Sequence, residues 1–352
     1  MWLGKNNADL LLWLEQMVQN NRRAIFGHCN DGLRIVQLSV SRRLRRRGDR
    51  YHQVVDIRYA TSKGMYRKKL WLKVRKGFGE LYRIHCDLYE RLEGFGKVVP
   101  EPYFYDEGCR GGEGSVIGME FLEGTSLRNI LLKKAVCGGL RSLTSVFSEV
   151  GAGMRIFHDT SRSSGVKRVR ELADNARRVT NCSPYVSEDQ RRELVRHIDA
   201  AERSAGAGTE LPLIKIHNDW ILRNLLIMRD GGVRVVDLDS MRAPDNSRWY
   251  DLCYFLINVE SQLKYWPVMG RAGLLDLWKS FWCGYSEKGL SEALSAKIII
   301  AIMYLIKVEY LFGGTIRPPL FEIYGRCLGR AYLRQVKESV IGGAYSTLSA
   351  EL

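Results

Sequence analysis

Runs of alternating and β-branched residues dominate the first third of the chain. Residues 33–41 and 51–60 are β-rich, and residues 69–75 alternate apolar with basic side chains in the manner of a half-buried strand. A Ser-Lys-Gly turn signal at 62–64 lies between the second and third runs. The pattern predicts an antiparallel sheet that begins with three consecutive strands.

Helical periodicity begins near residue 80 and prevails after residue 122. Residues 80–92 place their leucines on one stripe, and residues 143–158 have the spacing of a core helix. Between them, residues 116–122 have the pattern of a buried strand, followed by a turn and a helix to residue 132. After residue 251 the chain is aromatic and is predicted to be helical, with core-like positions at Trp266, Trp278, Trp282, Tyr285 and Tyr304.

Two stretches lack a clear apolar period. Residues 161–183 are basic, polar and rich in Ser and Asn, and residues 204–209 are small. Such compositions are typical of loops, so both stretches are predicted to be flexible surface segments. The first 18 residues carry Asp9 and Glu15 within a helical pattern and have no basic head, which indicates an amphipathic helix rather than a signal peptide.

Polar side chains interrupt the apolar runs between residues 213 and 237. Runs at 213–216, 225–228 and 233–236 are strand-like, and Asp-Gly-Gly at 230–232 predicts a hairpin between the last two. This hairpin would bring Asn224 and Asp237 together at its open end. An amide oxygen and a carboxylate there suit Mg²⁺, which takes its other ligands from water and substrate phosphates. Asp219, on the preceding loop, is then placed to accept a proton from an attacking hydroxyl.

This stretch resembles the aminoglycoside phosphotransferase and choline kinase group of protein-kinase-like phosphotransferases. The pattern H-x-D-x-x-x-x-N, an Asp thirteen residues later and an Asp-Leu pair opening a helix all occur, at His217, Asp219, Asn224, Asp237 and Asp251-Leu252. The resemblance implies that Asp219 is the catalytic base, that Asn224 and Asp237 hold Mg²⁺, and that Asp251 braces the loop. Five positions in register make the pattern specific.

Two residues within this stretch depart from the usual pattern of the group. Asn218 stands where many members of the group have Gly. Arg223, directly before Asn224, either neutralises phosphate charge or is a solvated side chain. We include Arg223 and His217 with Asp219 among the candidate catalytic residues.

The resemblance extends, less specifically, to the nucleotide site. Lys73, in the third strand, matches the lysine that holds the nucleotide phosphates. We favour Glu80 as the acidic partner of Lys73 on the following helix. Glu90 has the better distance from Lys73 but points away, and His85 occupies the position where members of the group carry a glutamate. The strand ending at residue 122 resembles the hinge, where the backbone groups of Glu120 and Leu122 would contact adenine.

Length and composition agree with this interpretation. A chain of 352 residues with 45% hydrophobic and 26% charged residues is ordinary for a soluble globular protein and long enough for two lobes. Its eight cysteines show no C-x-x-C pair, which argues against a zinc site and a disulfide framework. The longest apolar run near the C-terminus, 298–306, is far short of the roughly 20 residues of a membrane span. We expect a cytoplasmic protein.

The formal charge of +15 is concentrated near the N-terminus. Residues 22–76 contain seventeen Lys and Arg but only three acids, and Arg42–Arg50 alone contains six arginines. Such a field indicates an anionic partner, such as a membrane surface, an acidic glycan or nucleic acid, unless it serves only ATP phosphates and solubility. Nucleic acid is the least favoured partner because no reader motif or interleaved stacking aromatics occur. The segment 42–50 is predicted to be the loop between the first two strands, and it either covers ATP or binds another anion.

The resemblance, together with the pattern of strands and helices, predicts an α+β protein with a two-lobed protein-kinase-like fold. Residues 1–122 would form an antiparallel β N-lobe that binds the nucleotide, and residues 123–352 a mainly helical C-lobe with the catalytic loop and acceptor pocket. The expected function is ATP- and Mg²⁺-dependent phosphorylation of a hydroxyl. The expected acceptor is a sugar of an anionic glycolipid or surface-polysaccharide precursor, reached through peripheral contact of Arg42–Arg50 with the inner membrane face. The alternatives are a small-molecule kinase of the choline or sugar type and a pseudokinase scaffold bound to an anionic surface.

Overall fold

A computed structural model describes most of the chain. The described residues are 7–27, 32–40, 45–47, 50–75, 77–96, 98–109, 114–137, 139–161, 163–182, 188–205, 208–264 and 271–285. The fold divides into two compact units: unit 1 is Met1–Gly124 with Arg234–Arg242, and unit 2 is Thr125–Val233 with Ala243–Leu352. The predicted core positions Trp266 and Tyr304 lie outside the described residues.

Unit 1 contains a six-stranded antiparallel sheet. Its main path has the order β1-β3-β4-β6-β5, and β2 pairs with β3 beside this path. The strands are β1 (Arg34–Val40), β2 (Arg45–Arg47), β3 (Arg50–Thr61), β4 (Gly64–Arg75), β5 (Pro102–Cys109) and β6 (Gly114–Glu120). The three predicted consecutive strands are therefore confirmed as β1, β3 and β4.

The short strand β2 is the one departure from the predicted start of the sheet. The arginine-rich stretch was expected to be a loop, but Arg45–Arg47 pairs with β3 in the register Arg45↔His52 to Arg47↔Arg50. Backbone pairing explains the difference, because a ladder needs N–H and C=O groups rather than apolar side chains, and charged residues are common on sheet edges.

One face of the sheet forms the core of unit 1. Period-2 alternation puts Val55 and Ile57 of β3 beside Leu70 and Leu72 of β4, and all four are buried. Helix α1 (Asn7–Asn20) adds Leu14, Met17 and Val18 to the same cluster, and α2 (Arg22–Phe26) adds Ile25. Helix α3 (Gly79–Leu92) buries the predicted stripe at Leu81, Leu88 and Leu92.

Unit 2 is mainly helical. Its helices are α4 (Leu127–Val136), α5 (Thr144–Thr160), α6 (Val169–Cys182), α7 (Glu188–Ala205), α8 (Trp249–Lys264) and α9 (Arg271–Tyr285). The short strands are β7 (Thr125–Ser126), β8 (Ser163–Arg168), β9 (Glu210–Ile214), β10 (Leu225–Ile227) and β11 (Val233–Val235), of which β11 begins in unit 2 and continues into unit 1. Within the described part of the chain, no helix combines the length and apolarity needed to cross a membrane.

The prediction of a flexible surface segment at 161–183 is wrong over most of its length. Strand β8 pairs with β9, and α6 buries Leu172, Ala176 and Val179. These apolar residues are few, but they recur at helical spacing and therefore face one side among many arginines. Overall polarity concealed that spacing in the sequence.

The predicted hairpin is present. Strands β11, β10 and β7 form one small sheet in that order. Between β10 and β11, the Gly231 N–H donates to the Met228 carbonyl (3.1 Å) and the Met228 N–H to the Gly232 carbonyl (2.9 Å). Gly231 has φ 85°, a left-handed conformation that glycine adopts without strain.

Helices α5 and α9 approach each other closely through two glycines. A Cβ on Gly151 would lie well inside van der Waals contact with the Phe281 carbonyl oxygen, and a Cβ on Gly284 would do the same with the Ser148 carbonyl oxygen. Because backbone atoms cannot rotate away as a side chain can, these positions need glycine for the helices to pack as they do.

We expect Gly151→Ala to lower the free energy of unfolding by about 2 kcal/mol or more, because α9 would have to move to admit the methyl group. Chemical denaturation followed by circular dichroism measures the change. The matched control is Gly153→Ala in the same helix, where a Cβ meets nothing within 4 Å. This control should gain up to about 1 kcal/mol from helix propensity. Equal effects at the two positions would contradict the close approach.

Candidate active site

A buried carboxylate fixes the loop that contains the three candidate catalytic residues. Asp251, in the first turn of α8, is fully buried. It accepts the backbone N–H of His217 and of Asn218, each at 2.7 Å. The Nε2 atom of His158, at the end of α5, lies 3.2 Å from the same carboxylate, and Tyr285 Oη lies 3.0 Å from its Nδ1. The bracing that the resemblance implies for Asp251 is thus confirmed.

The backbone of Asn218 explains why this position does not need glycine. Asn218 has φ 62°, in the left-handed region. Glycine adopts this region freely, and Asn is among the few other residues that enter it at low cost. The departure from the family pattern therefore preserves the local backbone conformation.

Asp219 and Asn224 are held together within the loop. The Asn224 Nδ2 atom donates to the Asp219 carboxylate (2.9 Å) and to the Asp219 backbone carbonyl (3.0 Å). The Asp219 N–H donates to the Nδ1 atom of His217 at 3.2 Å. Arg223 is exposed, and its Nη2 atom lies 4.0 Å from the Asp219 carboxylate. One oxygen of Asp219 is thereby oriented, and the side chain remains partly accessible.

Trp220 packs its buried ring against His217 of this loop, a contact that the sequence analysis did not predict. Its ring is fully buried and lies 5.2 Å from the ring of Phe157 and 5.6 Å from that of His217, both in edge contacts. Among the described residues, its indole N–H has no hydrogen-bond partner. The sequence signal for this contact was a large aromatic residue directly after Asp219. It was missed because only polar residues of this segment were considered as candidates.

In unit 1, Lys73 has two acidic partners. Its Nζ atom lies 2.8 Å from Asp237 Oδ1 and 2.8 Å from Asp239 Oδ1. Burial disfavours the charged ammonium, but the two carboxylates and their hydrogen bonds outweigh it and raise the pKa of Lys73 above its ordinary value. Lys73 is therefore a fixed positive charge at neutral pH.

The expected partner of Lys73 is not the one found. Glu80 is exposed in the first turn of α3, and its carboxylate lies 3.9 Å from Arg242 Nε. His85 is buried and donates from Nε2 to the Pro100 carbonyl (2.7 Å), and its burial lowers its pKa to about 4, so it is neutral. Glu90 is also exposed. Asp239 was missed, although the Asp-Leu-Asp spacing at 237–239 was visible and puts two acids in one short segment.

The segment that carries both acids has a defined backbone. Asp237 has φ 64°, which an aspartate tolerates better than most residues, and a 3-10 helix follows at Leu238–Arg242. Leu238 and Met241 are buried and anchor this helix. The Val235 N–H donates to the Val98 carbonyl (2.8 Å), so the segment is tied to unit 1 on entry.

The two backbone amides of the predicted hinge, those of Glu120 and Leu122, differ in their recorded hydrogen bonds. Glu120 is the last residue of β6, and its N–H donates to the Glu101 carbonyl (2.9 Å). Leu122 lies beyond the strand, and the structure records no hydrogen bond for its amide with any described residue. Among the described residues, the Leu122 N–H is thus the one of these two amides without a recorded backbone partner.

The candidate metal ligands suit magnesium chemically. Both bonds from Asn224 use its amide nitrogen, so its amide oxygen is outside them. The Asp237 side chain is half-exposed despite its contact with Lys73. Amide and carboxylate oxygens are the donors that Mg²⁺ prefers.

Comparisons with known proteins give a structural likeness. No protein-family model matches the chain. No curated protein matches it by sequence. Among solved structures, a candidate aminoglycoside phosphotransferase from Ralstonia eutropha JMP134 is 14% identical with a TM-score of 0.55, and the match covers 94% of this chain and 98% of that one.

Two further structures are similar at lower scores. A glucosamine kinase is 12% identical with a TM-score of 0.49, covering 92% of this chain and 97% of that one. A spectinomycin phosphotransferase in complex with ADP and spectinomycin is 13% identical with a TM-score of 0.46, covering 92% and 93%. At these identities the likeness concerns the fold. The chain has the protein-kinase-like α+β fold of the aminoglycoside phosphotransferases.

Proposed function

We propose that this protein transfers the γ-phosphoryl group of ATP to a hydroxyl, with Mg²⁺ as cofactor. The observation that carries the proposal is the Asp219 carboxylate, oriented by Asn224 within a loop whose backbone the buried Asp251 holds. A partly accessible carboxylate on a fixed loop suits a general base for an incoming hydroxyl. The shared fold and the spacing of His217, Asp219, Asn224 and Asp237 support the same function.

In the proposed reaction, Asp219 accepts the proton of the acceptor hydroxyl. The hydroxyl oxygen forms a bond to the γ-phosphorus, the bond from that phosphorus to the bridging oxygen breaks, and ADP leaves with the bonding electrons. The Asn224 N–H bond orients the carboxylate, and His217 fixes the Asp219 backbone by accepting its N–H. Arg223, exposed beside Asp219, is proposed to neutralise charge on the phosphate or acceptor.

The nucleotide and its metal ion are proposed to contact residues from two parts of the sequence, 73–122 and 224–237. Lys73 would hold the phosphates as a fixed cation, and the Leu122 backbone amide and the backbone of Glu120 would contact adenine. Asn224 and Asp237 would be the metal ligands. When bound, Mg²⁺ neutralises phosphate charge and orients the phosphoryl group for in-line transfer.

We propose further that the acceptor is anionic, such as a sugar hydroxyl of a glycolipid or surface-polysaccharide precursor. Arg34, Arg58 and Arg67 are exposed on β1, β3 and β4, and Lys63 is exposed in the turn between β3 and β4. Arg67 pairs with Asp56, but no acidic residue occurs between 57 and 79. A cationic aminoglycoside would be repelled by this surface, whereas an anionic acceptor would be attracted. A small neutral alcohol or sugar is the alternative acceptor. A pseudokinase scaffold is disfavoured because it has no chemical need for a lysine, base and metal ligands together.

Asp219→Asn should lower the rate of phosphoryl transfer by roughly 100-fold or more, since it removes the base, while changing the nucleotide dissociation constant little. Asp237→Ala should instead weaken Mg²⁺-dependent nucleotide binding. Transfer is measured with γ-labelled ATP and separated lipid, polysaccharide, metabolite and protein fractions, and binding by calorimetry.

The matched control for the charge change is Asp230→Asn, an exposed turn residue that accepts the Gly232 N–H (2.9 Å). It should leave transfer unchanged. Full transfer by Asp219→Asn would refute its role as base, and absence of Mg²⁺-dependent ATP binding to the wild type would refute the proposed function.

Replacing Arg43, Arg45, Arg46 and Arg47 with Ser should abolish sedimentation with acidic liposomes, because each basic residue near an anionic bilayer contributes roughly 1 kcal/mol. Wild-type binding should weaken as salt shortens the screening length and be absent on neutral liposomes. A control with the same charge change replaces Arg170, Arg178, Arg192 and Arg196, which are exposed on α6 and α7. Equal wild-type binding to acidic and neutral liposomes would remove the case for a membrane-borne acceptor.

A further inference from the structure

Lys73 is a buried cation whose two partners differ in exposure. Its side chain is 7% exposed, that of Asp239 is 13% exposed and that of Asp237 is 44% exposed. A buried ammonium is costly unless it stays paired, so at least one of these carboxylates must remain with it. Asp239 is the more enclosed of the two.

Glu80, the acidic residue on α3 that the sequence favoured as the partner of Lys73, contacts a different cation. The Glu80 side chain is 64% exposed, and its carboxylate lies 3.9 Å from Arg242. Arg242 ends the same 3-10 helix that carries Asp239 near its start. Glu80 therefore links α3 to this helix, and Asp239 is the residue of the helix that contacts the lysine.

The proposed metal site makes the second carboxylate necessary. A divalent ion held by Asp237 would compete with Lys73 for the charge of that carboxylate, since both are cations. With Asp237 as its only partner, the lysine would lose part of its support at the moment when the nucleotide binds. A second, enclosed carboxylate 2.8 Å from the same Nζ keeps the ammonium in place.

We propose that Asp239 is the positioning residue that holds Lys73 toward the nucleotide phosphates, in place of a glutamate on α3. The inference rests on the proposed phosphotransferase function for its catalytic consequence, but the pairing can be tested without it. The fixed backbone of the 3-10 helix, anchored by buried Leu238 and Met241, gives Asp239 one position relative to β4 within unit 1.

A double-mutant cycle on folding tests the pairing. Asp239→Asn should lower the folding equilibrium constant by roughly tenfold or more in the wild-type background, because it removes a partner of a buried charge. In the Lys73→Met background the same change should cause no loss, or a gain, because it removes a carboxylate that has lost its cation. Glu80→Gln should have the same small effect in both backgrounds. Equal effects of Asp239→Asn in the two backgrounds would overturn the pairing.

Enzyme kinetics test the positioning role. Asp239→Asn should lower kcat for phosphoryl transfer by roughly 100-fold, with a smaller change in the KM for ATP, because a misplaced lysine chiefly loses contacts made in the transition state. Asp239→Glu should recover part of the rate, and Glu80→Gln should change it less than about threefold. Wild-type turnover in Asp239→Asn, or an equal loss in Glu80→Gln, would overturn the inference.

Failure of the proposed function has a different signature. A wild-type protein that transfers no phosphate to any fraction would refute that function, and the folding cycle would still decide whether Asp239 pairs with Lys73.

Discussion

The candidate catalytic loop depends on one buried carboxylate. Asp251 accepts two backbone N–H groups from consecutive residues, His217 and Asn218, and also contacts His158. A fully buried charge without such donors would be strongly destabilising, so the helix that carries Asp251 and the loop it binds stabilise each other. The left-handed φ of Asn218 then sets the direction in which the chain continues from the two bonded amides. Asp219 and Asn224 then follow on a segment whose course is already set.

In unit 1, a buried cation is likewise compensated by nearby groups of opposite charge. Lys73 is buried on β4, and the acids that compensate its charge come from the segment that follows β11 rather than from α3. The charge of Lys73 is therefore kept at neutral pH by two carboxylates, whose effect on its pKa exceeds that of burial. A buried charged group in each unit is thus held by partners close in space. The proposed base, Asp219, and the proposed carboxylate ligand of Mg²⁺, Asp237, stay partly accessible.

Much of the fold and of the candidate site could be predicted from the sequence. Strands β1, β3 and β4, the stripe of α3 and the hairpin after Asn224 follow from apolar period and turn residues. The partner of Lys73 could not be predicted, because a carboxylate in contact with it can come from any element of the fold. The choice between Glu80 and Asp239 depends on where Arg242 lies. Helix α6 was missed because its few apolar residues alternate with polar and basic ones, so that the segment is polar overall. The role of Trp220 was missed because it lies in packing rather than in polar chemistry.

Amide hydrogen exchange at His217 and Asn218 tests most directly whether the Asp251 carboxylate fixes the loop. In the wild-type protein both amides should exchange slowly, and in Asp251→Asn at least one should exchange roughly 100-fold faster, since an amide side chain offers a single acceptor oxygen. The amides of α5 serve as an internal reference for global folding. Unprotected amides at both positions in the wild type, or unchanged protection in Asp251→Asn, would contradict the account.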